Sequence, residues 1–351
     1  MKLAFWISGL KDPSPRFRFL QFIEPLREKG HLVDVFVLNP SRNSVLKSKS
    51  FALQIIEQRI QLIKRLWQLL TFILFKAKQY DIIYTNKDLL PNLNIKWVEK
   101  LMSKFNSKLV FDIDDAIYLG ARGDKLKAIM PYYKAVIAGS TVLQSYIENN
   151  YGVKCYYIPM AINTNNYKPA AIRPNGILRI GWSGSHHTNV YALPLLKEPL
   201  MNLAQKLDFE FIVISNKNPE INWEGVKTRF IEWTEDTEVA GLQHFDIGMM
   251  PLKDEPFERG KCALKAVQYM AIGIPALVSP VGVNSFIVRD GVDGLHCNTI
   301  QDFSDKLLLL AQNINLQKEM GKNALQRVHD SFSVTVLTNE YERVFKEIAN
   351  S

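Results

Sequence analysis

The chain has 351 residues, 47% of them hydrophobic and 22% charged, which describes a globular protein too long for a single core and long enough for two domains. Its net charge of +8 favours anionic partners (nucleotide phosphates, acidic lipid headgroups or nucleic acid) without choosing among them. Three cysteines, Cys155, Cys262 and Cys297, odd in number and without a CxxC pair, argue against a disulfide framework or zinc site and for a reducing compartment, with the cytosol as the default.

The start, MKLAFWISGLKDPSPR, has too short an apolar run for a signal peptide and reads as a first strand at 2–8. In SPRFRFLQFIEPLREKG, Ser14 suits a helix N-cap, Pro15 the first helical position and Gly30 the stop. Further strands are expected at 32–38, 80–85, 108–114 and 135–140, with helix-length intervals between them, the pattern of a parallel sheet.

Between the second and third strands, residues 46–79 mix Lys47, Lys49, Arg59, Lys64, Arg65, Lys76 and Lys78 with Phe51, Ile55, Ile56, Ile60, Leu62, Ile63, Leu66, Trp67 and Phe75. The apolar run LWQLLTFILF is too short to span a bilayer. The segment suits either a crossover helix packed on the sheet or a helix lying on an anionic membrane surface, and different faces can serve both.

Carboxylates gather at the ends of two of these strands. VFDIDDAIY carries Asp112, Asp114 and Asp115, and YTNKDLLP carries Lys87 and Asp88, at the edge where doubly wound sheets place ligands. Ligand binding, a helix N-cap at Asp114 or Asp115, and an Asp-x-Asp metal motif are the readings to separate. Ligand binding without a metal is preferred, because the candidate phosphate ligands sit elsewhere and are basic.

The stretch 156–176, rich in Pro and Asn, reads as an interdomain linker. A second strand–helix series follows, with strands in LRIGWSG, FEFIVIS, VKTRFIEW, FDIGMMPL and IPALVSP. In IGWSGSHHTN, Gly181, Gly184 and Ser185 follow a strand as a loop of small residues able to bring backbone N–H groups to phosphate, without a G-x-G-x-x-G fingerprint. His186 and His187 lack ligand-spaced partners and read as an exposed pair rather than a metal site. In PFERGKCALKAVQYM, Lys261, Lys265 and Gln268 fall at i, i+4 and i+7, a polar stripe on an otherwise apolar helix. Two amines near a helix N-terminus suit a diphosphate, and Gln268 suits sugar hydroxyls; alternatively the stripe is a solvated face.

KAVQYMAIGIPALVSPVGVN, followed by DGVDGL, resembles the donor-binding region of retaining glycosyltransferases with the GT-B fold, family 4 of the sequence classification. The resemblance implies an α/β fold of two tandem Rossmann-like, doubly wound domains facing a central cleft: an acceptor domain at 1–165, a nucleotide-sugar donor domain at 166–335, and a final helix at 336–351 packing back on the first. It implies transfer from a nucleotide-diphosphate sugar with retention, Lys261 and Lys265 stabilising the departing diphosphate, and no required metal or other cofactor. Gly282, Val283 and Asn284 would lie near the donor sugar or its phosphates. SPRFRF resembles a loop-to-helix junction in a subgroup of these enzymes, with Arg16 towards the acceptor; Arg18, about 200° round the helix, is then expected to face solvent, and Asp112, Asp114 and Asp115 are expected to bind the acceptor. The family usually has glutamate where Gln268 stands, and a second glutamate where Gly260 stands.

The expected acceptor is a glycan or lipid-linked glycan in surface polysaccharide assembly, on the cytoplasmic face of the membrane. The rival readings are a non-catalytic sugar-nucleotide or membrane-binding homologue and a GT-B nucleotide-sugar epimerase. Nucleic-acid binding explains the charge but none of the motifs.

Overall fold

The computed structural model describes residues 1–10, 12–38, 51–91, 93–170 and 176–351, without the side chains of 51, 52 and 54. Lys47, Lys49 and the Phe51 side chain therefore lie outside the described residues, as does part of the expected linker, 171–175. The chain divides into two compact units, Met1–Pro159 with Thr338–Ser351, and Met160–Leu337.

In the first unit the strands are β1 (Lys2–Ile7), β2 (Leu32–Val37), β3 (Ile82–Asn86), β4 (Leu109–Ile113), β5 (Ala135–Ala138) and β6 (Cys155–Tyr157). They form one parallel sheet in the order β2-β1-β3-β4-β5-β6. Its helices are α1 (Pro13–Arg18), α2 (Ile23–Glu28), α3 (Phe51–Phe75), α4 (Trp97–Phe105), α5 (Gly123–Ile129) and α6 (Thr141–Tyr151). Near-continuous apolar strands such as LVFDI are buried on both faces, as crossover helices on both sides of a parallel sheet require.

The second unit has β7 (Leu178–Ser183), β8 (Phe209–Ser215), β9 (Lys227–Glu232), β10 (Ile247–Met250), β11 (Ala276–Val278) and β12 (Gly294–His296), in the order β12-β11-β10-β7-β8-β9. Its helices are α7 (His186–Ala204), α8 (Glu238–Leu242), α9 (Pro256–Arg259), α10 (Leu264–Ala271), α11 (Asn284–Ile287), α12 (Ile300–Gln312) and α13 (Ile314–Arg327). A last helix, α14 (Val334–Asn350), begins in this unit and from Thr338 belongs to the first. There Tyr341 and Phe345 join an aromatic core with Phe5, Phe22 and Tyr84. Each such side chain contributes about 1.5–3 kcal/mol by leaving water.

Both sheets have a switch point, where the strand order reverses: between β1 and β3 in the first unit and between β7 and β10 in the second. Ligands of open α/β sheets bind outside the carboxyl ends of the strands flanking that point.

Three local expectations are corrected. The single helix expected over 14–30 is broken: α1 starts at Pro13 with Asp12 in the N-cap place, a 3-10 turn covers Leu20–Phe22, and α2 follows. Proline at 25, lacking an N–H, cannot continue a ladder from α1. The expected linker contributes Tyr156 and Tyr157 to β6, a strand too short to show a period. β12, equally short, begins at the end of DGVDGL and likewise shows no period.

Candidate functional site

The stripe of Lys261, Lys265 and Gln268 is not on one helix. Lys261 lies in the loop after α9, and α10 starts only at Leu264. Between them Ala263 takes a left-handed backbone, φ +56°, and is 1% exposed. A non-glycine residue there carries strain of about 1–3 kcal/mol and resets the helical phase, so the i, i+4 spacing does not set where Lys261 points. What the turn achieves is a helix start without a side-chain cap, its first N–H groups flanked by Lys261 on one side and Lys265 in the first turn. Lys261 lies 3.7 Å from Glu258 and over the Phe257 ring.

Lys265 is held from behind. Its Nζ donates to Gln268 Oε1 at 3.2 Å, and Gln268 Nε2 donates to the Tyr167 hydroxyl at 2.8 Å. Tyr167 in turn donates to Glu238 Oε2 at 2.7 Å, and Trp233 Nε1 to Glu238 Oε1 at 3.0 Å. Gln268 is fully buried, so it is not placed to read sugar hydroxyls as the sequence suggested; its amide orients an amine. Tyr167, Trp233 and Glu238 carry no sequence signal of this role, being distant in sequence and without motif or period.

The loop after β7 is also rearranged relative to expectation. Gly181 lies inside the strand, paired with Ile212 and Gly248, and a Cβ there would stand 2.1 Å from the Phe245 ring. Gly184 N–H already donates to Ile214 O at 3.0 Å, and its missing side chain makes room for Trp182 and Thr188. Both glycines therefore serve packing, and neither strand nor committed N–H is free for phosphate. Ser185 caps α7, its hydroxyl accepting from Thr188 N, while His186 N–H donates to Asn216 Oδ1. His186 and His187 are exposed, His187 edge-on to Tyr191.

After β11, Gly282 has φ +57°, and a Cβ would come within 2.3 Å of Arg259 O. The backbone of this loop thus abuts the end of α9, which brings the third candidate segment beside the Lys261 turn. Val283 is buried at the start of α11. Asn284 is buried too and donates to Ser279 O at 2.9 Å, fixing the loop from within. The Tyr269 hydroxyl accepts from Ser183 N and donates to Met249 O, joining α10 to the ends of β7 and β10 at the switch point.

In the first unit Arg18, expected to face solvent, is instead the buried arginine. Arg18 is 1% exposed and forms a two-pronged ion pair with Asp112, Nη2 to Oδ2 at 2.8 Å, while Nη1 donates to Ile158 O at 2.6 Å. Tyr84 also donates to Asp112 Oδ2. Burial pushes the Asp112 carboxyl above its ordinary value despite Arg18; burial also opposes the charge on Arg18, but Asp112, Tyr341 and Tyr84 together hold its pKa above the ordinary value. Asp112 is fully buried and committed, which corrects its assignment as a direct acceptor ligand. Arg16 is half-buried over the Phe17 ring.

Asp114 and Asp115 sit at the carboxyl end of β4 beside Lys87, whose Nζ is 2.7 Å from Asp114 and 3.7 Å from Asp115. Lys87 has φ +62°, a left-handed turn that ends β3. Although burial opposes it, Lys87 holds the Asp114 carboxyl below its ordinary value, helped by Ser14, so Ser14 serves here rather than as a helix cap. Asp115 is the more exposed of the two. Asp88 is buried against Lys125. Among the described residues no group of three His, Cys, Asp or Glu is arranged to hold a metal ion.

Residues 178–313, which hold the whole Lys261–Lys265–Gln268 arrangement, match a known family model. That model describes glycosyl transferases group 1. No curated protein matches the chain. Among solved structures, a glycosyltransferase from Rickettsia africae superposes with a TM-score of 0.71 at 16% identity, over 99% of this chain and 98% of that one. Sucrose-phosphate synthase from Thermosynechococcus elongatus gives 0.72 at 16% identity over 100% of both chains. Anabaena HepE, solved in complex with UDP-glucose, gives 0.64 at 16% identity over 99% of this chain and 100% of that one. The chain shares with them the two-domain α/β architecture of the GT-B fold.

Proposed function

We propose that the chain is a glycosyltransferase that moves a sugar from a nucleotide-diphosphate sugar to a glycan or lipid-linked glycan, with retention of anomeric configuration, in surface polysaccharide assembly at the cytoplasmic membrane face. The observation that carries the reading is Lys265 fixed by Gln268, Tyr167 and Glu238 at the uncapped start of α10, beside a sheet switch point and inside the group 1 match. A preorganised amine and helix N-terminus stabilise charge that grows on a departing diphosphate, the main electrostatic demand of such a transfer. Lys261 adds a second positive charge from the adjoining turn. Because this charge comes from the chain, the leaving group needs no metal for neutralisation. Donor contacts fall to Lys261, Lys265 and the loops at Ser185 and Gly282–Val283, while Gln268, Gly181, Gly184 and Asn284 hold those groups in place. With retention, the departing phosphate takes the acceptor proton, and no protein base is assigned.

Asp114, Asp115 and Arg16 are the acceptor candidates, with Lys87 positioning the two carboxylates. Gln268 and Gly260, where the family resemblance places glutamates, favour a second reading, a homologue that binds sugar nucleotides without turning them over.

Thermal-shift screening against UDP-, GDP-, ADP- and dTDP-sugars tests the donor site, UDP-glucose first because the HepE neighbour was solved with it. One donor is expected to stabilise the protein, and Lys265→Ala to lower turnover with that donor about a hundredfold. Unchanged turnover in Lys265→Ala overturns the assignment. Donor binding with no transfer to any glycan acceptor selects the second reading.

A further inference from the structure

α3 carries two apolar stripes. One holds the helix to its own sheet: Leu69, Phe72 and Ile73 are buried, with the Phe72 ring 5.0 Å from Trp6 and 4.7 Å from Phe36. The other has no such contact surface among the described residues. Leu53, Ile56, Ile60, Ile63, Trp67 and Leu74 recur in steps of three, four or seven residues and so share an arc of about 80°. All six are exposed, Trp67 by 69% and Ile63 by 65%. An aligned row of this size on a helix about 37 Å long is unlike the single exposed apolar residues of ordinary surfaces.

The charge around the row says what covers it. Residues 51–80 carry five basic side chains, Arg59, Lys64, Arg65, Lys76 and Lys78, against Glu57 alone, half of the chain's net charge of +8. Arg59 and Lys64 flank the row on opposite sides, both exposed. The alternating step also fits a coiled-coil seam, but a parallel pair of these helices would set one copy's Arg59 against the other's Lys64, like charge against like. No helix among the described residues is long and apolar enough to cross a membrane, so the row suits contact with a surface.

We infer that α3 docks the first unit on a bilayer containing anionic phospholipid, with Ile63 and Trp67 entering the headgroup–acyl boundary and Arg59 and Lys64 meeting lipid phosphates. This rests on the membrane part of the proposed function and names the surface and the lipid chemistry. It is read by vesicle binding, so its failure leaves sugar transfer standing.

The full-length protein is sedimented with phosphatidylcholine–phosphatidylglycerol vesicles and with phosphatidylcholine alone, and its mass is followed by light scattering. The expected result is binding to the mixed vesicles that weakens as salt rises. Ile63→Ser with Trp67→Ser, and separately Arg59→Gln with Lys64→Gln, are each expected to weaken it roughly tenfold or more, with the melting temperature unchanged. No binding at low salt, equal binding to phosphatidylcholine alone, or full binding by either folded variant overturns the inference. So does a dimer that Ile63→Ser dissociates, since a second copy would then cover the row.

Discussion

The Tyr167 hydroxyl sits between a carboxylate and an amide, donating to Glu238 and accepting from Gln268. Tyr167→Phe leaves a buried carboxylate oxygen without that donor and an amide without its acceptor, costing about 1–3 kcal/mol of stability. Because the loss passes through Gln268 to Lys265, turnover should fall while donor affinity changes less, which a split of kcat from KM would show; a purely structural role would lower stability alone. A comparable commitment explains Asp112, since stranding a buried ion costs about 3–5 kcal/mol. The sequence marked Lys265 and Asp112 by their company, but burial alone decided that Gln268 and Asp112 act on neighbouring side chains. Arg18 shows the same limit: helical spacing separated it from Arg16, yet only the sheet beneath showed which of the two faced inward.

At the level of elements, the candidate donor site is an assembly of three turns. The Lys261 turn, the loop after β7 and the loop after β11 are brought together by β7, β10 and β11 pairing side by side. Gly282 is the tightest point of that assembly. Gly282→Ala asks a left-handed backbone to carry a Cβ 2.3 Å from Arg259 O, so the loop or α9 must move. A loss of about 1–3 kcal/mol is expected, with weaker donor binding by calorimetry, because the moved segment leads directly into Lys261. Equal binding in this variant would show that the loop does not position the lysine. The turn itself was legible, since Gly and Asn after a strand announce one, whereas its packing partner Arg259 was not. The left-handed Ala263 gave no signal at all, because alanine there reads as helix.

Across the whole chain, α14 returns to the first unit and is tied down electrostatically as well as by Tyr341 and Phe345. Glu342 accepts from Lys346 at 2.7 Å, Lys29 at 3.1 Å and His31 at 3.1 Å. Lys346 and then Lys29 draw its carboxyl down to about 2, against a small opposing effect of burial. A depressed folded-state pKa means that the unfolded chain takes up the proton first, so this contribution is full above about pH 5 and is lost as pH falls towards 2. Glu342→Gln should therefore be less stable at neutral pH by about 1 kcal/mol or less, with the gap closing in acid, as chemical unfolding at several pH values would record. By itself the sequence determined the alternation of strands and helices, hence two parallel sheets, and it marked the lysine-bearing segment and the basic, apolar α3, because period and composition are local properties. Tertiary structure decided which strand ends adjoin, which charges are buried against each other and which stripe of α3 is left outward. Those outcomes depend on contacts between residues far apart in the chain, and no local pattern records them.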